Sequence, residues 1–210
     1  MKSHNIRNDV HFLRNMQYMV GEHDMPFVYA QNIDLEDIAL IGFNNIRSND
    51  SDANKSKTVH FFLDDHKFDE VWNIPERELA RLSQYAHVLS PDFSVYPDMP
   101  IPLQMFNVFR NRWCASYWQF NAIAVIPTIS WGDKRSYRFC FDGIERGCIV
   151  AISTLGTHSS INQFMHGFKM MCEIIKPRTV INYGALFEGM TNFADIVTIP
   201  YKHGSQRADS

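Results

Sequence analysis

The chain has 210 residues, 45% of them hydrophobic and 20% charged, with a formal net charge of −3. That balance excludes a disordered chain, and a domain of this size buries a core without disulfide or metal staples. It supplies no global positive field for nucleic acid or anionic lipid, so any such binding needs a local patch.

The opening "MKSHNIRNDVHFLRN" has no apolar stretch that could serve as a signal peptide, and no run approaches a membrane span, which predicts a cytoplasmic protein. Cys114, Cys140, Cys148 and Cys172 form no CxxC pair and read as buried thiols of a reducing compartment. From Asn5 to Val20, apolar residues recur at three- and four-residue spacing, which predicts a short amphipathic helix closed by Gly21. "IALIGFN" (Ile38–Asn44) reads as a strand, and the polar stretch Asn45–Lys57 as an exposed, mobile contact loop.

A rhythm then sets in. Strand "TVHFFL" precedes a helix near Pro75–Gln84, where Asn73 and Glu76 have capping-box spacing and Pro75 sits in the first turn. Strand "HVLS" leads to a long helix starting at Asp98, which reads as its cap. Leu103, Phe106, Phe109, Trp113, Tyr117 and Phe120 form the stripe expected to face the core. Strand "AIAVIPTIS", a helical piece at Lys134–Phe141 and strand "CIVAIST" follow. The next helix begins near Ser160 and stops at Lys176-Pro177. "TVINYG", a turn of helix at Ala185–Met190 and "DIVTIP" close the series.

Apolar strands alternating with amphipathic helices predict an α/β fold with a largely parallel sheet and flanking helices. Six or seven strands fit an incomplete or distorted TIM-barrel-like arrangement, with an open doubly wound sheet as the alternative. The expected division is a helical arm at 1–37, one α/β domain at 38–201 and a flexible tail at 202–210.

In such folds ligands bind beyond the carboxyl ends of the strands. Polar residues crowd those exits: Asp64 and Asp65, then Ser90, Asp92 and Ser94, then Thr128, Ser130 and Trp131, then Ser153, Thr154, Thr157 and His158, and finally Tyr183 and Gly184. Asp64 and Asp92, on neighbouring exits, are the leading candidates for general acid/base work or for holding a divalent cation, and Asp65 divides between a turn and a site role. Trp131 and Tyr183 suit aromatic walls; Ser130, Ser153, Thr154 and His158 suit ligand contacts. No GxGxxG, Walker loop, HExxH, zinc spacing or GxSxG elbow is present. Arg110, Arg112, Lys134, Arg135, Arg138 and Arg146 would contact phosphates if they shared a face, and are otherwise ordinary solvated positions.

The strings "KTVHFFLDD", "VLSPDFS", "FNVFRNRW", "VIPTISWGD", "FCFDGI" and "VAISTLG" resemble an uncharacterised family, a domain of unknown function carried by bacteria, their phages and plasmids. The resemblance covers Ile38 to Tyr201 and implies a phage or mobile-element setting. It marks Asp64, Asp65, Asp92, Trp131, Asp142, Ser153 and Thr154 as family-motif positions, and His66 stands where an aromatic such as tyrosine is expected. The expectation is an enzyme, hydrolase or glycosidase-like, acting on a nucleotide, nucleic acid or glycoside. The rivals are a non-catalytic phage protein that sequesters a small nucleotide signal or covers a host protein, and a DNA-binding replication or modification protein.

Overall fold

Runs rich in Val and Ile, which favour extended backbone, form seven short strands that pair in parallel. The computed structural model describes residues 17–201. A two-stranded antiparallel hairpin comes first, β1 (Met19–Val20) and β2 (Met25–Pro26). There follow β3 (Leu40–Gly42), the single turn α1 (Asp52–Lys55), β4 (Thr58–His60), α2 (Glu70–Asn73), α3 (Pro75–Leu82) and β5 (His87–Leu89). The chain continues through α4 (Ile101–Phe120), β6 (Val125–Ile126), α5 (Tyr137–Cys140), β7 (Ile149–Ser153), α6 (Ile161–Ile175), β8 (Thr179–Tyr183) and β9 (Ile196–Ile199).

Strands β3, β4, β5 and β6 pair in that order, as do β7, β8 and β9. A parallel bridge from Thr128 to Ala151 joins the two ladders, with Ile129 N donating to Ala151 O at 2.8 Å. Spatial order therefore follows chain order, without the reversal that a doubly wound sheet requires.

The two faces of the sheet confirm the single winding. Val59, Val88, Val125, Val150 and Val180 pack in one large core with α2 to α6. Alternate residues Leu89, Ile126, Ile149, Ala151 and Ile181 form a second, small core that receives no helix residue, only Ile33, Leu35 and Ile38 from the segment before β3 and the strand-end residues Phe62 and Ile199. Four strand spacings separate β4 from β8, about 19 Å in a flat sheet. Yet the Phe62 and Tyr183 rings stack with centroids 5.1 Å apart. The sheet curls strongly, helices outside, toward a barrel. No backbone hydrogen bond joins β3 to β9 among the described residues, so the curl is left open there.

Several local expectations need correction. Most of the helix expected over Asn5–Val20 lies outside the described residues, but Met19 and Val20 are strand, and Gly21 (φ +75°) turns the hairpin. Asn73 ends α2 instead of capping α3, whose N-cap is Ile74. The long helix starts at Ile101 without a side-chain cap, so Asp98 does not cap it. Of the stretch Ala185–Met190 only a 3-10 turn at Met190–Asn192 forms. The Asn45–Lys57 segment is mostly exposed, as expected, but it carries the turn α1 and is tied to the body, with Ile46 buried and Asp50 accepting 2.6 Å from the Tyr85 hydroxyl.

The largest correction concerns α4. Leu103 and Phe106 are exposed and Phe120 is 75% exposed, while Gln104, Asn107, Asn111 and Arg112 are buried. Of the expected stripe, Trp113 is in the core and Phe109 and Tyr117 pack against it, while Leu103, Phe106 and Phe120 face outward. The reason is hydrogen bonding: the deep side of α4 meets loop carbonyls that need donors. The four cysteines are free, buried thiols. No helix among the described residues is long and apolar enough to cross a membrane.

Candidate functional site

Because the strands are parallel, their carboxyl ends open on one side, and a cavity of about 990 Å³ lies there. All seven strands β3 to β9 or their exit loops contribute to its wall. The volume is at the upper end of the small-molecule range.

Helix α4 contributes no residue to the cavity wall but fixes the loops that form it. Asn111 Nδ2 donates to Pro91 O (2.7 Å) and Thr128 O (3.2 Å), and its Oδ1 accepts from Ser90 Oγ (3.1 Å). Ser90 Oγ in turn accepts from Thr128 N at 2.7 Å. One buried amide thus bolts the β5 exit to the β6 exit. One turn earlier in the helix's buried stripe, Asn107 Nδ2 donates to Ser94 O at 2.6 Å. Arg112 donates to Cys140 O (2.6 Å), Asp142 O (3.0 Å), Thr128 O (3.3 Å) and Asn111 Oδ1 (2.5 Å). Burial pushes its guanidinium down to about 10.

The three candidate acids occupy different environments. Asp64 is 68% exposed at the rim and pairs with Lys67 Nζ at 2.8 Å, which holds its carboxyl below the usual range. Asp65 is turned away from the cavity wall and accepts from Ser94 N (3.2 Å) and Ser94 Oγ (2.8 Å), tying the β4 exit to the β5 exit. Arg110 lies 4.0 Å from it, stacked 3.8 Å above the Phe93 ring. Asp92 lines the cavity, half-buried. Burial, reinforced by the nearby charge of Asp65, raises its carboxyl to about 7, against the lowering effect of a hydrogen bond with Ser130. Asp65 and Asp92 are the electrostatically coupled acids; Asp64 stands apart. No group of three His, Cys, Asp or Glu side chains gathers as a metal set among the described residues.

The other candidates divide as well. Trp131, Ser130, Ser153 and Tyr183 line the cavity. Trp131 packs edge-on against Phe141 and tilted against Phe164, and a Cβ on Gly167 would collide with its Nε1, so α6 buttresses one face of the indole. Thr154 is buried and donates to Ala185 O at 2.8 Å, a loop-holding role outside the cavity. His158 is exposed, with its ring against Phe187, and does not line the wall. The arginines do not form one basic face. Arg112 is buried, Arg110 is stacked and paired, and Arg135 is held by Asp133 and Pro97 O.

Sequence reasoning misses His60 because it sits inside the apolar run "TVHFFL". It is 7% exposed, lines the cavity and lies 5.0 Å from the Tyr183 ring. Alternation along β4 is the available signal: His60 and Phe62 share the inner face, opposite Val59 and Phe61.

The fold and site define an α/β protein with a singly wound parallel sheet and a ligand-sized cavity of mixed polar and apolar lining at its carboxyl end. Residues 18–202 match the family described as "Domain of unknown function (DUF4417)", and the chain belongs to that family. It is similar to the "Gene 1 protein" of Mycobacterium phage L5, 42% identical over 150 residues, which cover 70% of this chain and 66% of the phage protein. It is also similar to the "Gene 1 protein" of Mycobacterium phage D29, 41% identical over 150 residues covering 70% and 56%. The chain spans no more than about two thirds of the length of these curated relatives. No solved structure matches.

Proposed function

We propose that the cavity is the active site of a hydrolase acting on a nucleotide, nucleic acid or glycoside in a phage or mobile-element setting, with Asp92 as the proton donor. The observation that carries this reading is the placement of Asp92: a cavity-lining carboxyl whose proton is held to about pH 7 and whose carrier loop is fixed by Asn111. Such a group can give its proton to a leaving oxygen or nitrogen as the glycosidic bond breaks, and take one back from the water that adds to the carbon. Phe62, Tyr183 and Trp131 supply the apolar wall against which a sugar or base rests.

The assay is turnover of a panel of nucleosides, nucleotides, oligonucleotides and nitrophenyl glycosides across pH. The acid form of Asp92 is the active one, so rate should fall as pH rises past about 7. Asp92→Asn should lose roughly 100-fold or more while still binding the substrate. An Asp92→Asn protein as active as the parent would end the proposal.

One observation favours a second reading. Asp64, the other acid on the wall, is tied to Lys67 at the rim, leaving Asp92 as the inward carboxylate. A protein that sequesters a small nucleotide without cleaving it needs no more than that. Under this reading the parent protein and Asp92→Asn both return their ligand intact.

A further inference from the structure

The cavity has a second polar pole, away from Asp92, where β3 ends and the curl stays open. Gly42 is the last residue of β3, and the 3-10 turn Phe43–Asn45 follows it. Gly42, Asn44, Asn45 and His60 all line the wall there. His60 Nδ1 accepts from Phe62 N at 3.2 Å, which assigns the ring proton to Nε2. Nε2 faces the Gly42 surface: a Cβ on Gly42 would lie 3.6 Å from it and 2.6 Å from Asn44 Oδ1. A histidine 93% removed from solvent therefore presents its N–H to the cavity surface, and no protein acceptor receives it among the described residues.

Gly42 does not need glycine for its backbone, which has φ −66° and ψ 141°. Its missing side chain keeps open the space between the imidazole and the two amides. Those groups are all uncharged, since burial lowers the His60 imidazole to about 4. They offer donors and acceptors in close proximity, beside the stacked Phe62 and Tyr183 rings. An anion would find no fixed positive charge here, and a saturated chain would use none of the hydrogen bonds that the two exposed amides and the imidazole offer. A flat neutral heterocycle with adjacent donor and acceptor atoms satisfies both demands, as Asn side chains do on base edges.

We infer that Gly42, Asn44, Asn45 and His60 form a nucleobase subsite, so that the ligand of this cavity is a nucleoside or nucleotide whose base enters beside β3 and whose sugar lies toward Asp92. The inference rests on the proposed ligand role of the cavity and narrows it to one class. It does not depend on whether the bound molecule is then cleaved.

Binding of adenosine, guanosine, cytidine, uridine and methyl β-ribofuranoside to the full chain carrying Asp92→Asn, measured by calorimetry, tests it without consuming the ligand. At least one nucleoside should bind ten-fold or more tighter than the base-free riboside. Adding Gly42→Ala, which fills the space at the cost of moving one flexible amide, should weaken that nucleoside at least ten-fold. His60→Phe, which keeps the ring and removes the donor, should do the same, with circular dichroism confirming that both variants fold. Equal binding of the base-free riboside, no nucleoside binding, or unchanged affinity in folded Gly42→Ala would each overturn the subsite. Nucleoside binding without turnover by the parent protein would leave the subsite standing and remove only the hydrolase reading.

Discussion

Arg112→Ala should lower the unfolding free energy by about 4 kcal/mol, the range for stripping a partner from a buried charged network. The guanidinium, 2% exposed, serves four acceptors at once, on Asn111, Thr128, Cys140 and Asp142. Its loss leaves the Cys140 and Asp142 carbonyls short of a donor, leaves Thr128 O to Asn111 alone, and frees the side chain that bolts the β5 and β6 exits together. For a chain of this length the midpoint should fall by roughly 10 °C. Arg112→Lys keeps a charge but not the planar fork, so it should recover only part of the loss. Urea titration reads both variants; a loss under about 1 kcal/mol for Arg112→Ala would show that the network is not what holds the loops behind the cavity wall.

Asp92→Asn should act in the opposite direction, and only above acid pH. In the unfolded chain the carboxyl ionises near 4, while in the fold it keeps its proton to about 7. Between those values the native state binds more protons than the unfolded state, so stability falls as pH rises through the window and levels off above it. Three units correspond to about 4 kcal/mol, discounted because the side chain still touches the cavity's water. Asp92→Asn should therefore be more stable than the parent by about 2–4 kcal/mol at about pH 8 and nearly equal to it at about pH 4.5. Other titrating groups, such as the buried neutral His60, are common to both proteins and largely cancel in the difference. A gap of the same size at both pH values would mean that the amide improves packing and that the carboxyl bears no ionisation strain. Such a gain is what the usual trade between function and fold would give if Asp92 serves the proposed reaction.

The sheet was legible because its signals are local. Val and Ile runs such as those in "CIVAIST" and "TVINYG" favour extended backbone wherever they fall, and alternation with helices leaves parallel pairing as the economical topology. The strand exits followed, and with them Asp92, Ser130, Trp131, Ser153 and Tyr183 on the cavity wall. What stayed hidden depends on who faces whom. Nothing in "LDDHK" says that Asp64 turns to Lys67 at the rim while Asp65 turns back to Ser94. Thr154 sits beside Ser153, but one step along the chain takes it to the other side of the strand end, where it holds Ala185 O. The α4 stripe misled for a physical reason. Apolar periodicity identifies the buried face when the neighbours are side chains, but here they are loop carbonyls, and Asn107, Asn111 and Arg112 are buried to satisfy them. The hidden His60 shows the same effect inside a strand.

One carboxyl carries the proposed chemistry, and its titration can be watched directly. With ¹³C-labelled aspartate, the Asp92 carboxyl carbon, assigned by its disappearance in Asp92→Asn, should shift with a midpoint near pH 7. A midpoint near pH 4, where an ordinary solvated aspartate titrates, would contradict the claim that this cavity holds a proton ready for transfer.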